Sequence, residues 1–270
     1  MWWCPTGPLS FLPLHAAGIY DEEKTCAGSC ISDFVISSYT PTIGALVDKI
    51  KYTRNVDRTS KLLLISLPFT PGLRDIPETQ RETQMLKDRM EGEQGIETLL
   101  LEGAAANVTS VAEAMHTYNW VHFACHAVQD KEDPLKSGIC LHDGRLDLLD
   151  MVNQRIPNTE HAFLSACQTS TGDEILSDEA MHIAAGVFSA GYRGIVATMW
   201  GIKDQHGPQI AEGFYKNLLK QEISAEAKGG RLESTVAACA LDETLRGIRE
   251  TLGNSEQALL TWVPYVHFGV

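Results

Sequence analysis

Long apolar runs, an excess of basic residues and a paired-cysteine pattern are all missing from this chain of 270 residues. No uninterrupted apolar stretch is long enough to cross a bilayer. The segment from Met1 to Tyr20 is apolar, but it holds Pro5, Pro8 and Pro13 and has no basic region ahead of its hydrophobic part, so it does not read as a signal peptide. Lys and Arg total 22 against 35 Asp and Glu, a formal net charge of -13. No local cluster of basic residues with interleaved aromatics offsets that charge, which excludes nucleic acid and anionic membrane surfaces as expected partners. Seven cysteines, an odd number without regular spacing, do not make a disulfide framework and fit a reducing, cytoplasmic compartment.

Several catalytic signatures are also absent. There is no His-Glu-x-x-His, no Gly-x-Ser-x-Gly elbow and no Gly-rich phosphate loop with Lys. Cys125 and His126, with Cys140 and His142, form a Cys-His and a Cys-x-His pair, but adjacent strand residues face opposite sides and cannot share one ion. Cys26 and Cys30 have no partnering pair downstream. Neither a metal nor a cofactor is expected.

What is present is an alternation of apolar runs and helical patterns. The runs read as strands at Leu9 to Leu14, Phe34 to Tyr39, Leu62 to Leu67, Thr98 to Leu101, Trp120 to Cys125, Ala162 to Ala166, Ile195 to Met199 and Tyr265 to Phe268. Between them, Thr40 or Thr42 can cap a helix through Ile50. Pro77 suits the first turn of a helix running through Thr83 to Met90, and Asp178 opens another that Gly191 would end. Amphipathic helices are expected over about Gln209 to Gln221 and Leu232 to Leu252, with a turn at Lys228 to Arg231. Strands apolar throughout and alternating with helices indicate a mostly parallel sheet covered on both faces, an α/β fold in which ligands bind beyond the carboxyl ends of the strands. At 44% hydrophobic residues the chain can bury one large core, so 1–270 reads as a single domain. Trp2 to Gly7 resembles the end of a buried strand and its turn, with nothing in front, which suggests a domain lacking its N-terminal part.

Two strand ends carry chemistry. Trp120-Val-His-Phe-Ala-Cys-His126 stops on His126, and Ala162-Phe-Leu-Ser-Ala-Cys-Gln168 reaches Cys167 about forty residues later. His before Cys, separated by room for one crossover, suits a Cys/His nucleophilic dyad on a parallel sheet. A free thiol has a pKa of roughly 8.5 and needs a neighbouring base or positive field to attack at neutral pH, and His126 would supply it. The backbone amides of Ala127 and Cys167 are the natural donors to a developing oxyanion. Cys125 abuts His126 but turns to the other face, where core packing is its role. Downstream, Asp173 and Glu174 are candidates for a cleft that receives basic substrates, whereas Asp178 and Glu179 suit a helix N-terminus. Asp204, beyond the strand after the Cys strand, either lines a specificity pocket or caps the following helix.

These pieces resemble the CHAT peptidases, caspase-like domains often attached to TPR repeats, and are close to fungal members. The resemblance is carried in order by Trp3-Cys-Pro-Thr-Gly-Pro-Leu9, Leu12-Pro-Leu-His-Ala-Ala-Gly18, Ser38-Tyr-Thr-Pro-Thr42, His122-Phe-Ala-Cys-His126, Leu164-Ser-Ala-Cys-Gln-Thr169, Met199-Trp200 with Asp204, and Val266-His-Phe-Gly269. It implies a caspase-like three-layer α/β/α sandwich with a mostly parallel central sheet, and His126 and Cys167 as the catalytic pair. Caspase relatives usually carry Gly after that His, where this chain has Ala127. A cysteine endopeptidase acting on a protein or peptide partner, controlled by TPR or sensor segments of a longer polypeptide, is the expected function. The alternative is a catalytically silent caspase-like module that acts by binding. A resemblance to separase, a caspase relative whose acidic pocket accepts Arg, adds the expectation that Asp204 would select Lys or Arg before the scissile bond.

Overall fold

The computed structural model describes residues 1–20, 28–51, 60–93, 95–128, 130, 133–154, 156, 159–165, 178–202, 206–227 and 236–270, with backbone alone for 134, 178–182 and 222–227. Its strands are β1 (Trp2–Trp3), β2 (Ser38–Tyr39), β3 (Ser60–Ser66), β4 (Ile96–Glu102), β5 (Trp120–Ala124), β6 (Ala127–Val128), β7 (Gly138–Cys140), β8 (Arg145–Asp147), β9 (His161–Leu164), β10 (Gly194–Thr198) and β11 (Tyr265–Gly269). Its helices are α1 (Ile43–Lys51), α2 (Glu78–Met90), α3 (Val108–Met115), α4 (Leu148–Asn153), α5 (Asp178–Ser189), α6 (Gly207–Ala227), α7 (Val236–Leu252) and α8 (Glu256–Trp262).

Eight strands form the central sheet in the order β1-β2-β11-β10-β9-β5-β3-β4. Every neighbouring pair in it is parallel except β10 with β11. Side chains alternate between two cores, as the pleat requires. Leu63, Ile65, Val121, Phe123, Ala162 and Leu164 face α3, α4 and α5, while Leu62, Leu64, Trp120, Phe163 and Val196 face α2, α6 and α7. This is the expected three-layer α/β/α arrangement. Burial on both faces explains why these strands read as unbroken apolar runs.

Local chemistry sets the helix ends. Thr42 Oγ1 accepts from the Ala45 amide at 3.0 Å, and Pro77, whose φ of -63° is already helical, immediately precedes α2. After α5 the chain turns at Gly191, whose φ of +129° and close approach of Thr159 Oγ1, 2.8 Å from where a Cβ would stand, leave room for glycine alone. The turn expected at Lys228 to Arg231 lies outside the described residues.

Three readings need correction. Leu9 to Leu14 is not a strand: Gly7–Phe11 and Leu14–Ala16 are 3₁₀ turns, because Pro8 and Pro13 fix φ and remove the amides a ladder would use. Of Phe34 to Tyr39 only Ser38–Tyr39 pairs. Trp2–Trp3 is a strand, parallel to β2, but it is the sheet's edge and Trp2 stays 44% exposed, so it is not buried.

The strand residues Trp120, Phe123, Phe163, Leu164 and Val196, with Met199, are all at most 4% exposed. Phe163 stacks on His122, ring centroids 4.9 Å apart, and meets Phe214 at 5.3 Å. Replacing Phe163 by Ala should cost about 3 to 5 kcal/mol in denaturant unfolding. A loss below about 1 kcal/mol would mean that the site is not close-packed.

Candidate active site

His126 lies just past the carboxyl end of β5, and the structure shows what fixes it. The loop after β3 folds back over the imidazole, and Nε2 stands 2.5 Å from the carbonyl oxygen of Arg74. A carbonyl only accepts, so Nε2 carries the proton in this contact. That loop is itself tied down: Leu67 N–H donates to Ala124 O at 3.0 Å, Ile76 N–H to Pro68 O at 3.0 Å, and Thr79 Oγ1 to Ile76 O at 2.7 Å. The ring is thus held between β3, β5 and the start of α2, with His126 only 1% exposed.

The backbone on the other side of His126 is held by a second sheet that the sequence did not suggest. β6, β7 and β8 form a three-stranded antiparallel sheet in which Ala127 pairs with Ile139, and Cys140 N–H donates to His126 O at 2.8 Å. Ala127 is extended strand backbone, where a Cβ costs nothing, so the departure from glycine fits this geometry. Cys125 points into the opposite core, fully buried, as alternation requires. Burial, and secondarily nearby Cys140, push its thiol well above the ordinary range; burial also raises Cys140, which Arg145 partly offsets. Neither is a reactive thiol. Among the described residues no group of three or more His, Cys, Asp or Glu is placed to hold a metal ion.

β9, the strand leading to Cys167, is the parallel neighbour of β5, with Phe123 opposite Leu164. His126 is three residues beyond the first and Cys167 three beyond the second. Cys167 itself, together with Asp173, Glu174 and Asp204, lies outside the described residues, and the side chains of Asp178 and Glu179 do too.

Below this end of the sheet is a buried polar network. Glu82, on the second turn of α2 and 1% exposed, places Oε1 3.0 Å from His122 Nε2 and accepts from Ser165 Oγ through Oε2 at 3.0 Å. Tyr215 of α6 has its hydroxyl 3.4 Å from His122 Nδ1. Burial, and next the charge of Glu82, hold the Tyr215 hydroxyl far above its ordinary range, so it stays protonated. None of these residues was singled out from the sequence. Arg74 acts through its backbone and leaves no side-chain signal. Glu82 does leave one, since it falls on the helix face of Thr79, Thr83, Leu86 and Met90, all buried.

An open pocket adjoins the carboxyl end of β10, walled by Trp200, Ile202, Leu260 and Tyr265 with His206 and Gln257. Tyr265 reaches it because β11 runs antiparallel, setting Tyr265 opposite Thr198.

This architecture is that of the caspase-like cysteine proteinases. The Arg-specific cysteine proteinase gingipain R (RgpB) superposes with a TM-score of 0.54 at 12% identity, over 86% of this chain and 53% of the proteinase. The complex of Porphyromonas gingivalis RgpB pro- and mature domains gives 0.54 at 11%, over 86% and 54%. The Saccharomyces cerevisiae separase–securin complex gives 0.50 at 11%, over 89% of this chain and 14% of that one. The chain belongs to the CHAT domain family, whose pattern matches residues 1–269. No curated protein sequence matches it. The chain thus spans about half the length of the gingipain chains and a small part of separase.

Proposed function

We propose that this domain is a cysteine endopeptidase in which Cys167 attacks the scissile carbonyl and His126 takes the thiol proton on Nδ1. The observation that carries this reading is the 2.5 Å contact of His126 Nε2 with the Arg74 carbonyl, which puts the proton on Nε2. The parallel register of β5 and β9 supports it, as does membership of the CHAT family. Attack would form a tetrahedral oxyanion facing the amides of Ala127 and Cys167. Its collapse would transfer the proton from His126 to the leaving amine and leave a thioester, which water then hydrolyses.

The substrate class is a protein or peptide, with one side chain seated in the pocket beside Trp200 and Ile202. Asp204, two residues after Ile202 in the sequence, would add a preference for Lys or Arg. Control by TPR or sensor segments of a longer polypeptide and a cytoplasmic location complete the reading. The described cysteines, Cys4, Cys30, Cys125, Cys140 and Cys239, are all free thiols, as a reducing compartment would leave them. Among the described residues no helix is long and apolar enough to cross a membrane.

A second reading, a silent caspase-like binding module, draws on the burial of His126. A peptidyl acyloxymethyl ketone followed by intact-mass analysis separates the two. The peptidase reading expects a single adduct, lost in Cys167→Ala; no adduct on the native wild type selects the silent module.

A further inference from the structure

We propose that Glu82 and Ser165 are positioning residues for the dyad: the buried carboxylate pins the carboxyl end of β9, two residues before Cys167, to the helix whose leading loop holds His126. The inference rests on the peptidase reading given above. Its basis is that one short stretch of chain touches both arms. Arg74 holds the imidazole through its carbonyl, Thr79 ties the loop to α2 through Ile76, and Glu82 reaches Ser165 from the next turn. Displacement of α2 would move both arms together.

Ser165 Oγ–H donates to Glu82 Oε2, Glu82 Oε1 stands 3.0 Å from His122 Nε2, and the Tyr215 hydroxyl stands 3.4 Å from His122 Nδ1. Glu82 Oε1 and His122 Nε2 are buried against each other without hydrogen-bond geometry, so the bond to Ser165 is the one directed hydrogen bond the carboxylate makes among the described residues. A buried carboxylate is costly, and an apolar residue on this face would pack against Phe163 and Leu86 without that cost. A fixed acceptor at the strand end is what the carboxylate supplies and an apolar residue cannot. Gly207, at the start of α6, keeps the space open: a Cβ there would stand 3.0 Å from Glu82 Oε2 and 3.5 Å from Ser165 Oγ.

Gln in place of Glu offers only one acceptor, so it can no longer face both Ser165 Oγ and His122 Nε2 through oxygen. Ser165→Ala removes the strand-end bond while leaving Glu82 paired with His122. The test is the pH dependence of iodoacetamide alkylation at Cys167, followed by mass spectrometry on the whole 270-residue protein. Iodoacetamide needs no substrate recognition, so the profile reads the pairing of Cys167 with His126. In the wild type the rate should level off well below the free-thiol pKa of about 8.5. Ser165→Ala should lower the neutral-pH rate about tenfold and move the profile towards the free thiol, and Ser165→Thr, which keeps the hydroxyl, should recover it. Gly207→Ala, which removes no polar group but presses on the carboxylate, should act in the same direction, and it serves where Glu82→Gln does not fold. A native-like profile in both Ser165→Ala and Gly207→Ala, with the wild type levelling off early, overturns the positioning role and leaves the peptidase reading standing. A free-thiol profile in the wild type itself overturns both.

Discussion

Lowering the pH from 7 to 5 should bring the thermal midpoint of this domain down by roughly 10 to 20 °C. The cause is three imidazoles buried in the neutral form. Burial lowers His15 to about 4, against a smaller upward pull from its bond to Val263 O. Burial and then the charge of Arg193 lower His161 to about 4. Burial and then His161 lower His267 to about 3. Each ring is committed as a neutral group: His15 stands between the Tyr39 hydroxyl at 2.9 Å and Val263 O at 2.9 Å, and His267 Nδ1 contacts Ser38 Oγ at 2.8 Å.

In the unfolded chain each of these rings takes up a proton near pH 6.5, whereas in the folded chain none does until about 4 or below. The unfolded state therefore binds more protons throughout that window. Stability is full above 6.5 and falls by about 1.4 kcal/mol per pH unit per ring as the pH drops. Three rings give about 5 kcal/mol between pH 7 and 5, against a total of order 5 to 15 kcal/mol. Glu160 and Asp242 act the other way. Burial raises both carboxyls, so they protonate first in the folded state and return some stability at the acid end of the window. Thermal melts at pH 7, 6 and 5 check the sum, and a variant lacking one of the three histidines should lose about a third of the slope. An unchanged midpoint across that range would contradict the buried neutral assignment.

Removal of the His126 imidazole should be the largest single loss of activity. A positioned general base contributes on the order of 10² to 10⁴ in rate, and that is the role proposed for His126, whose Nε2 is engaged by Arg74 O. His126→Ala should accordingly slow acylation of Cys167 by a peptidyl acyloxymethyl ketone by that factor. Because the ring is 1% exposed and packed under the loop after β3, the variant's fold is checked by its melt before the rate is read. Acylation within a few-fold of wild type in a folded His126→Ala protein would remove the imidazole from the mechanism. His126→Gln is a useful companion, since its amide can still donate to Arg74 O and keep the loop in place without supplying a base.

The parts of the fold that were legible in the sequence are those where burial dictates residue type. β3, β5, β9 and β10 are covered on both faces and show it as continuous apolar runs, so their existence and the placement of His126 beyond β5 followed directly. Edges and corners were not legible. β1 and β2 are two residues each, too short to carry a period, and the strands of the β6-β7-β8 sheet are two or three residues with polar neighbours such as Arg145 and Asp147. Proline decided Gly7–Phe11, where an apolar run with Pro8 inside it becomes a 3₁₀ turn.

At the site, the legible part was the side chain that ends a strand. The rest acts through groups that sequence patterns do not display. Arg74 contributes a carbonyl, which any residue would provide, so only the course of the loop selects it. Glu82 looks like an ordinary charged residue on an amphipathic helix, and Ser165 like a small strand residue. Their partnership joins positions 82 and 165 across the sheet, a separation no local spacing encodes. The helix-face position of Glu82 among Thr79, Thr83 and Leu86 was the one available clue.

The central claim is that Cys167 is activated by His126, and the measurement that tests it most directly is the alkylation rate of Cys167 by iodoacetamide from pH 6 to 10, in wild type and His126→Gln. The range starts at pH 6 because greater acidity would weaken the fold. The wild-type rate should already be near its plateau at pH 7, and the variant's should climb with the ordinary thiol pKa of about 8.5. Superimposable curves rising at or above that value in both proteins would contradict the account.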